Sequence, residues 1–219
     1  FGARPRIMTN LHQGLDFSVY MHGEGTTVDA APPYAALLRA CGLAGAASAA
    51  VDYGFNPITG AEESATLLGF YDGTKHLLTG SRGSFVMSWV KGRFPAIAFK
   101  MLGQQNDPAT DPAPAVDWST WADPVPVDCQ NTPVFSLHGV AAPLYSLEVT
   151  QGNNLIAECI PGDNEIRITG RETVGRVEIA ASDLATFDPF SIAKAGTAGA
   201  LSIEQGTTAL NVAGLTASK

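Results

Sequence analysis

The chain has no Cys-x-x-Cys pair, and its three cysteines, Cys41, Cys129 and Cys159, are scattered singly. That excludes a paired-thiol metal knuckle and, the number being odd, a complete intrachain disulfide set. Buried free thiols in a reducing cytoplasm are expected instead. Charge is also scarce: 16% of the residues are charged, and 21 acids against 13 bases give a formal net charge of -8. Such a balance argues against a protein that grips nucleic acid through its phosphates. No apolar run approaches the roughly 20 residues of a membrane-spanning helix. The most apolar stretch, from Cys41 to Val51, is mostly Ala and Gly. The chain opens on Phe1 with no basic-then-apolar leader and reads as a cytosolic fragment.

Sequence signatures of catalysis are missing as well. There is no GxxxxGK[ST], GxGxxG or HExxH, and Gly80-Ser81-Arg82-Gly83, the nearest thing to a nucleophile elbow, lacks its spacing and reads as a turn. His12, His22, His76 and His138 stand far apart, none with a second ligand two to four residues on. Glu62 and Glu63 are neighbours, and adjacent strand residues face opposite ways, so solvated charge is the expectation rather than an acid/base pair. No catalytic residue, cofactor or metal is expected.

What is abundant is hydrophobic residue, at 45% of 219, together with 23 Gly and 14 Pro. The first suffices for a sizeable core, and the second favours short strands and turns over long helices. Residues 1–31 read as an extended peripheral arm, with a short strand available from Leu15 to Met21. Pro33 to Cys41 reads as a helix, opened by proline and closed by Gly42. From Ala49 to Gln104 the period is two. Ser64 to Tyr71 and Thr74 to Thr79 flank Asp72-Gly73, a type I′ hairpin signal. A second hairpin turns at Lys91-Gly92-Arg93 and returns from Phe94 to Met101.

Residues 102–133 hold six prolines and no continuous pattern, which marks a functional or disordered segment rather than a merely connecting loop. Trp118 and Trp121 within it call for burial, on this subunit or on a neighbour. Strands resume at Val134 to Val140, Tyr145 to Thr150, Leu155 to Ile160, Glu165 to Thr169 and Thr173 to Ala180. Asp188 to Ala195 reads as a helix closed by Gly196. Closing strands are expected at Leu201 to Glu204 and Ala209 to Ala213.

Between Met101 and Ile166 nine acids occur without one Lys or Arg: Asp107, Asp111, Asp117, Asp123, Asp128, Glu148, Glu158, Asp163 and Glu165. An exposed, solubilising face explains this, and so does a surface that must not adhere to a passing polyanion.

Four words of the sequence stand in a telling order: Pro32-Pro33-Tyr34-Ala35-Ala36-Leu37-Leu38-Arg39-Ala40-Cys41-Gly42-Leu43, Tyr71-Asp72-Gly73-Thr74-Lys75-His76-Leu77-Leu78-Thr79-Gly80-Ser81-Arg82-Gly83, Pro124-Val125-Pro126-Val127 and Phe190-Ser191-Ile192-Ala193-Lys194-Ala195-Gly196-Thr197. From about Ala31 onward the chain thereby resembles the tail tube (major tail) proteins of long-tailed bacteriophages and prophages. The resemblance implies a mainly β, β-sandwich or barrel-like tail tube fold with one or two short helices, carried by one domain over residues 32–219 with a long Pro-rich loop at about 104–128. It implies a virion protein assembled in the host cytoplasm, without enzymatic activity. Its partners would be copies of itself in stacked hexameric rings, the tape measure, tail terminator and baseplate or distal tail proteins, and DNA in transit without specific binding.

If six copies each lent about four strands to the inner wall, the backbone diameter would be about 37 Å, wide enough for a duplex of about 20 Å. Glu148, Glu158 and Glu165 are then candidate lumen acids, and Trp118 and Trp121 mark a candidate subunit-contact loop. A β-sandwich that binds a receptor, or an accessory virion module, is the alternative.

Overall fold

The computed structural model describes residues 11–23, 31–47, 53–119, 121–206 and 213–217. The chain is mainly β, with antiparallel sheets and, among the described residues, two short helices. Its largest sheet follows the path β1 (His12–Tyr20), β6 (Ala96–Gln105), β5 (Thr74–Val90), β10 (Leu144–Thr150) and β13 (Val174–Ile179). Two further strands, β4 (Ala65–Tyr71) and β7 (Ala109–Thr110), also pair with β5. A four-stranded sheet runs β15 (Ala213–Ala217), β14 (Leu201–Gln205), β8 (Val134–Leu137) and β9 (Val140–Ala141). Two hairpins complete the set: β2 (Leu43–Ala47) with β3 (Tyr53–Pro57), and β11 (Asn153–Ile160) with β12 (Asp163–Arg171).

Strict alternation along β6 buries Ile97, Phe99 and Met101 and leaves Ala98 and Lys100 in solvent, as a sheet with one wet face requires. Phe17 of β1, Phe99 of β6 and Phe85 of β5 form a row across three strands, with ring centroids 5.6 and 6.2 Å apart. Beside them Trp89 and Leu147, opposed across β5 and β10, are fully enclosed. Helix α1 (Ala35–Ala40) and the four-stranded sheet close this core, adding Leu38, Cys41, Phe135 and Ile203. Burial on this scale contributes about 1.5 to 3 kcal/mol per large apolar side chain.

The Asp72-Gly73 turn takes the expected form, with φ of 46° and 73°. Gly80-Ser81-Arg82-Gly83 does not. It is no turn but the middle of a 17-residue strand. Against β6, three steps from Thr79 to Arg82 match two from Gln104 to Leu102, so β5 carries a bulge, and Gly80 supplies its φ of +59°. The extra residue moves the buried parity from Leu78 to Phe85 and Trp89. One bent strand therefore serves both hairpins, where sequence reading expects two strands.

The segment expected as a peripheral arm contains β1, paired with β6 along its full length. Helix α1 is shorter than expected because Pro32 to Tyr34 form a turn that leads into it. Tyr53 to Pro57 is strand β3. Tyr145 is exposed although Leu147, two residues on, is buried, because the β10–β13 ladder is irregular between Leu144 and Ser146. Helix α2 (Pro189–Ala195) forms as expected. The Asp188 carboxylate accepts from the Phe190 and Ser191 amides at 3.1 Å, and Gly196 caps the other end in the left-handed region. Of the expected strand at 209–213, residues 209–212 lie outside the described residues, and β15 begins at Ala213.

Candidate functional site

The large sheet ends in two open borders. Among the described residues β1 pairs only with β6, and β13 only with β10. An unpaired border offers a row of backbone donors and acceptors to any strand that approaches it. Across the wet face of this sheet short or polar side chains, Ser18, Ala98, Val86, Ser88 and Thr150, stand among the acids Asp16, Glu148 and Glu178, the cations Lys100 and Arg176, and Tyr20. Glu148, one of the three candidate acids, stands here, opposite Ser88 of β5 and Arg176 of β13.

The other two acids stand elsewhere. Glu158 and Glu165 are paired across the β11–β12 hairpin, and Nε of Arg167 lies 2.7 and 2.8 Å from their carboxylates. Asp163 also pairs with Arg167, whose guanidinium is held in its charged form first by Asp163 and then by Glu165 and Glu158. Arg82, aimed by the β5 bulge, reaches the hairpin through the Ile166 carbonyl and approaches Glu165 at 3.4 Å. The acid-only section is thus partly neutralised by cations from outside it, Lys75 on Asp111 being a third. Strand pairing hid this, since Arg82 and Lys75 reach across from β5, and Arg167, the first residue past the section, meets Glu158 only through the β11–β12 register.

Glu62 and Glu63 are not simply solvated. Glu63 takes a two-point salt bridge from Arg39 at 3.1 and 2.6 Å, and Glu62 accepts from the Gly60 amide. Of the cysteines only Cys41 is buried, where burial pushes its thiol up to about 12 against a smaller opposing pull from Arg171. Cys129 and Cys159 are exposed free thiols, contrary to expectation.

Trp118 and Trp121 separate in role. Their rings meet edge to face at 5.6 Å, but Trp121 is 37% exposed and packs 5.0 Å from the ring of His22, whereas Trp118 is 63% exposed. His22 is buried, and its Nε2 has no hydrogen-bond partner among the described residues. Tyr34 donates to the His22 carbonyl at 3.1 Å, and burial pushes its hydroxyl up to about 12. Ahead of Trp118, the Asp117 carboxylate accepts from the Ser119 amide, which holds it below the usual carboxylate range.

A feature absent from the sequence reading lies at the β5–β6 turn, where Tyr20 and Phe94 form one wall of an open cleft, their rings 5.5 Å apart. The outward parity of Tyr20 in β1 was the signal that could have found it. Among the described residues no three His, Cys, Asp or Glu side chains gather as a metal site, and no helix is long and apolar enough to cross a membrane. Comparison with protein-family models, with curated proteins and with solved structures gave no match.

Proposed function

We propose that the chain is a tail tube subunit, a structural virion protein whose copies join through sheet borders into hexameric rings that stack into a conduit for DNA. The observation that carries this is the pair of free borders on one sheet. Along five successively antiparallel strands, β1 and β13 run in the same direction. Joining β13 of one copy to β1 of the next is a head-to-tail contact, and such contacts close into rings or continue as filaments. On the wet face the acids Asp16, Glu148 and Glu178 outnumber the cations Lys100 and Arg176, which suits a wall along which a polyanion slides without sticking. A sandwich-like arrangement of the large and four-stranded sheets around the shared core belongs to the same reading.

The test is negative-stain electron microscopy of the purified full-length gene product. Regular rings or tubes are expected. Monomers or trimers that bind host cells would overturn the tube in favour of a receptor-binding or accessory module.

A further inference from the structure

The cleft at the β5–β6 turn measures about 490 Å³ and is lined by Tyr20, Val90, Arg93, Phe94, Ala96 and Pro126 among others. It joins two half-exposed aromatic rings to a guanidinium that makes no ion pair among the described residues. Lys91 stands beside it, over the Tyr145 ring. The cleft is therefore apolar and cationic.

The loop ahead of Trp118 has the opposite charge and exposed apolar side chains of its own. Val116 and Trp118 are its most exposed apolar side chains, Asp117 stands between them, and no Lys or Arg occurs anywhere in the loop. Pro112 and Pro114 before it, and Pro124 and Pro126 after it, limit its freedom. A projecting indole on a stiffened loop is the kind of anchor that carries binding energy at interfaces. Within one chain the two surfaces do not meet. Reciprocal backbone bonds, Gly92 to Val127 at 2.8 Å and Val127 to Arg93 at 2.9 Å, tie the loop's far stem to the turn, while Trp118 lines no part of the cleft.

We propose that the cleft of one copy receives the Val116-Asp117-Trp118 segment of a second copy, the indole seated against the wall that Tyr20 and Phe94 form together and Asp117 facing Arg93. The contact rests on the self-assembly reading and deepens it. Loop and cleft are different patches, so the contact is head-to-tail and propagates.

The experiment is sedimentation velocity of the full chain over a concentration series, with circular dichroism as the check on folding. Arg93→Glu and Asp117→Arg should each raise the concentration needed for association by about tenfold or more, and the two together should restore it. Asp117→Asn, which keeps an acceptor for the Ser119 amide, should weaken association less than the reversal does. Trp118→Ala, at a side chain 63% exposed, should weaken it as well, with an unchanged circular dichroism spectrum. Association unchanged in every single variant, or a double variant no better than the singles, overturns this contact and leaves the tube reading in place. A wild-type chain that stays monomeric overturns the tube reading and the contact with it.

Discussion

Glu158 of β11 and Glu165 of β12 stand directly across from one another, and a single guanidinium, that of Arg167, lies within 2.8 Å of both carboxylates. Like charges opposed on neighbouring strands repel, so Arg167 is what allows this hairpin to carry its acids together. Arg167→Gln should lower the melting temperature, and the loss should shrink at about 1 M salt, where the Debye length falls to about 3 Å. Thermal melts of wild type and variant at low and high salt check this, and a salt-independent difference would assign Arg167 a packing role instead.

Among the three candidate acids, Glu148 alone faces the wet side of the large sheet without an ion pair among the described residues. Glu148→Lys should leave assembly intact and slow DNA passage at low salt, with recovery as salt rises, because phosphate contacts respond steeply to ionic strength. Ejection kinetics from virions that carry the variant measure this. Lysine at Glu158 or Glu165 is a poorer probe, since it would break a salt bridge to Arg167 and unsettle the hairpin itself, whereas Glu148 faces Arg176 across the ladder with no ion pair among the described residues.

The three tryptophans differ in exposure, Trp89 being fully enclosed and Trp118 the most open. Emission from the dispersed chain should therefore combine a blue component from Trp89 with a red one from Trp118. Assembly should shift the red component toward blue, and Trp118→Phe should abolish the shift. An identical spectrum before and after assembly would place Trp118 outside any contact between copies.

Burial raises Tyr34 and Cys41 from ordinary values of 10.0 and 9.0 to about 12 each. Each group is held neutral in the folded chain. Its contribution is complete below its unfolded value and is lost as pH climbs from there toward about 12. Stability should fall from about pH 9 upward, at roughly 1.4 kcal/mol per pH unit for each group within its window. Urea unfolding at neutral and alkaline pH tests this. Tyr34→Phe should flatten the decline above pH 10, although it also removes the hydrogen bond to the His22 carbonyl.

Local chemistry explains which features were legible in the sequence. Asp72-Gly73 announced its turn because both residues reach positive φ cheaply, and β6 announced itself because Ile97, Phe99 and Met101 alternate with small or polar neighbours. Helix α2 was marked at both ends by Asp188 and Gly196. Gly80-Ser81 misled because glycine and serine serve a bulge as readily as a turn, and only the partner strand decides between them. Strand β2 was hidden because Leu43 to Ala47 is nearly all Ala and Gly, which alternate nothing. The Arg167 cluster and the Tyr20–Phe94 cleft depend on cross-strand register, which composition does not carry. Trp118 and Trp121 stood out as unusual in a proline-rich loop, but their division into a packed and a projecting ring required the position of His22.

Cryo-electron microscopy of the assembled full-length protein tests the central claim most directly, because it resolves what lies against β1 and β13. The account predicts a closed ring of six copies, stacked into a hollow cylinder, with β13 of each copy alongside β1 of the next. Particles in which both borders remain in solvent, or in which β1 pairs with β1 of a single partner, would contradict it.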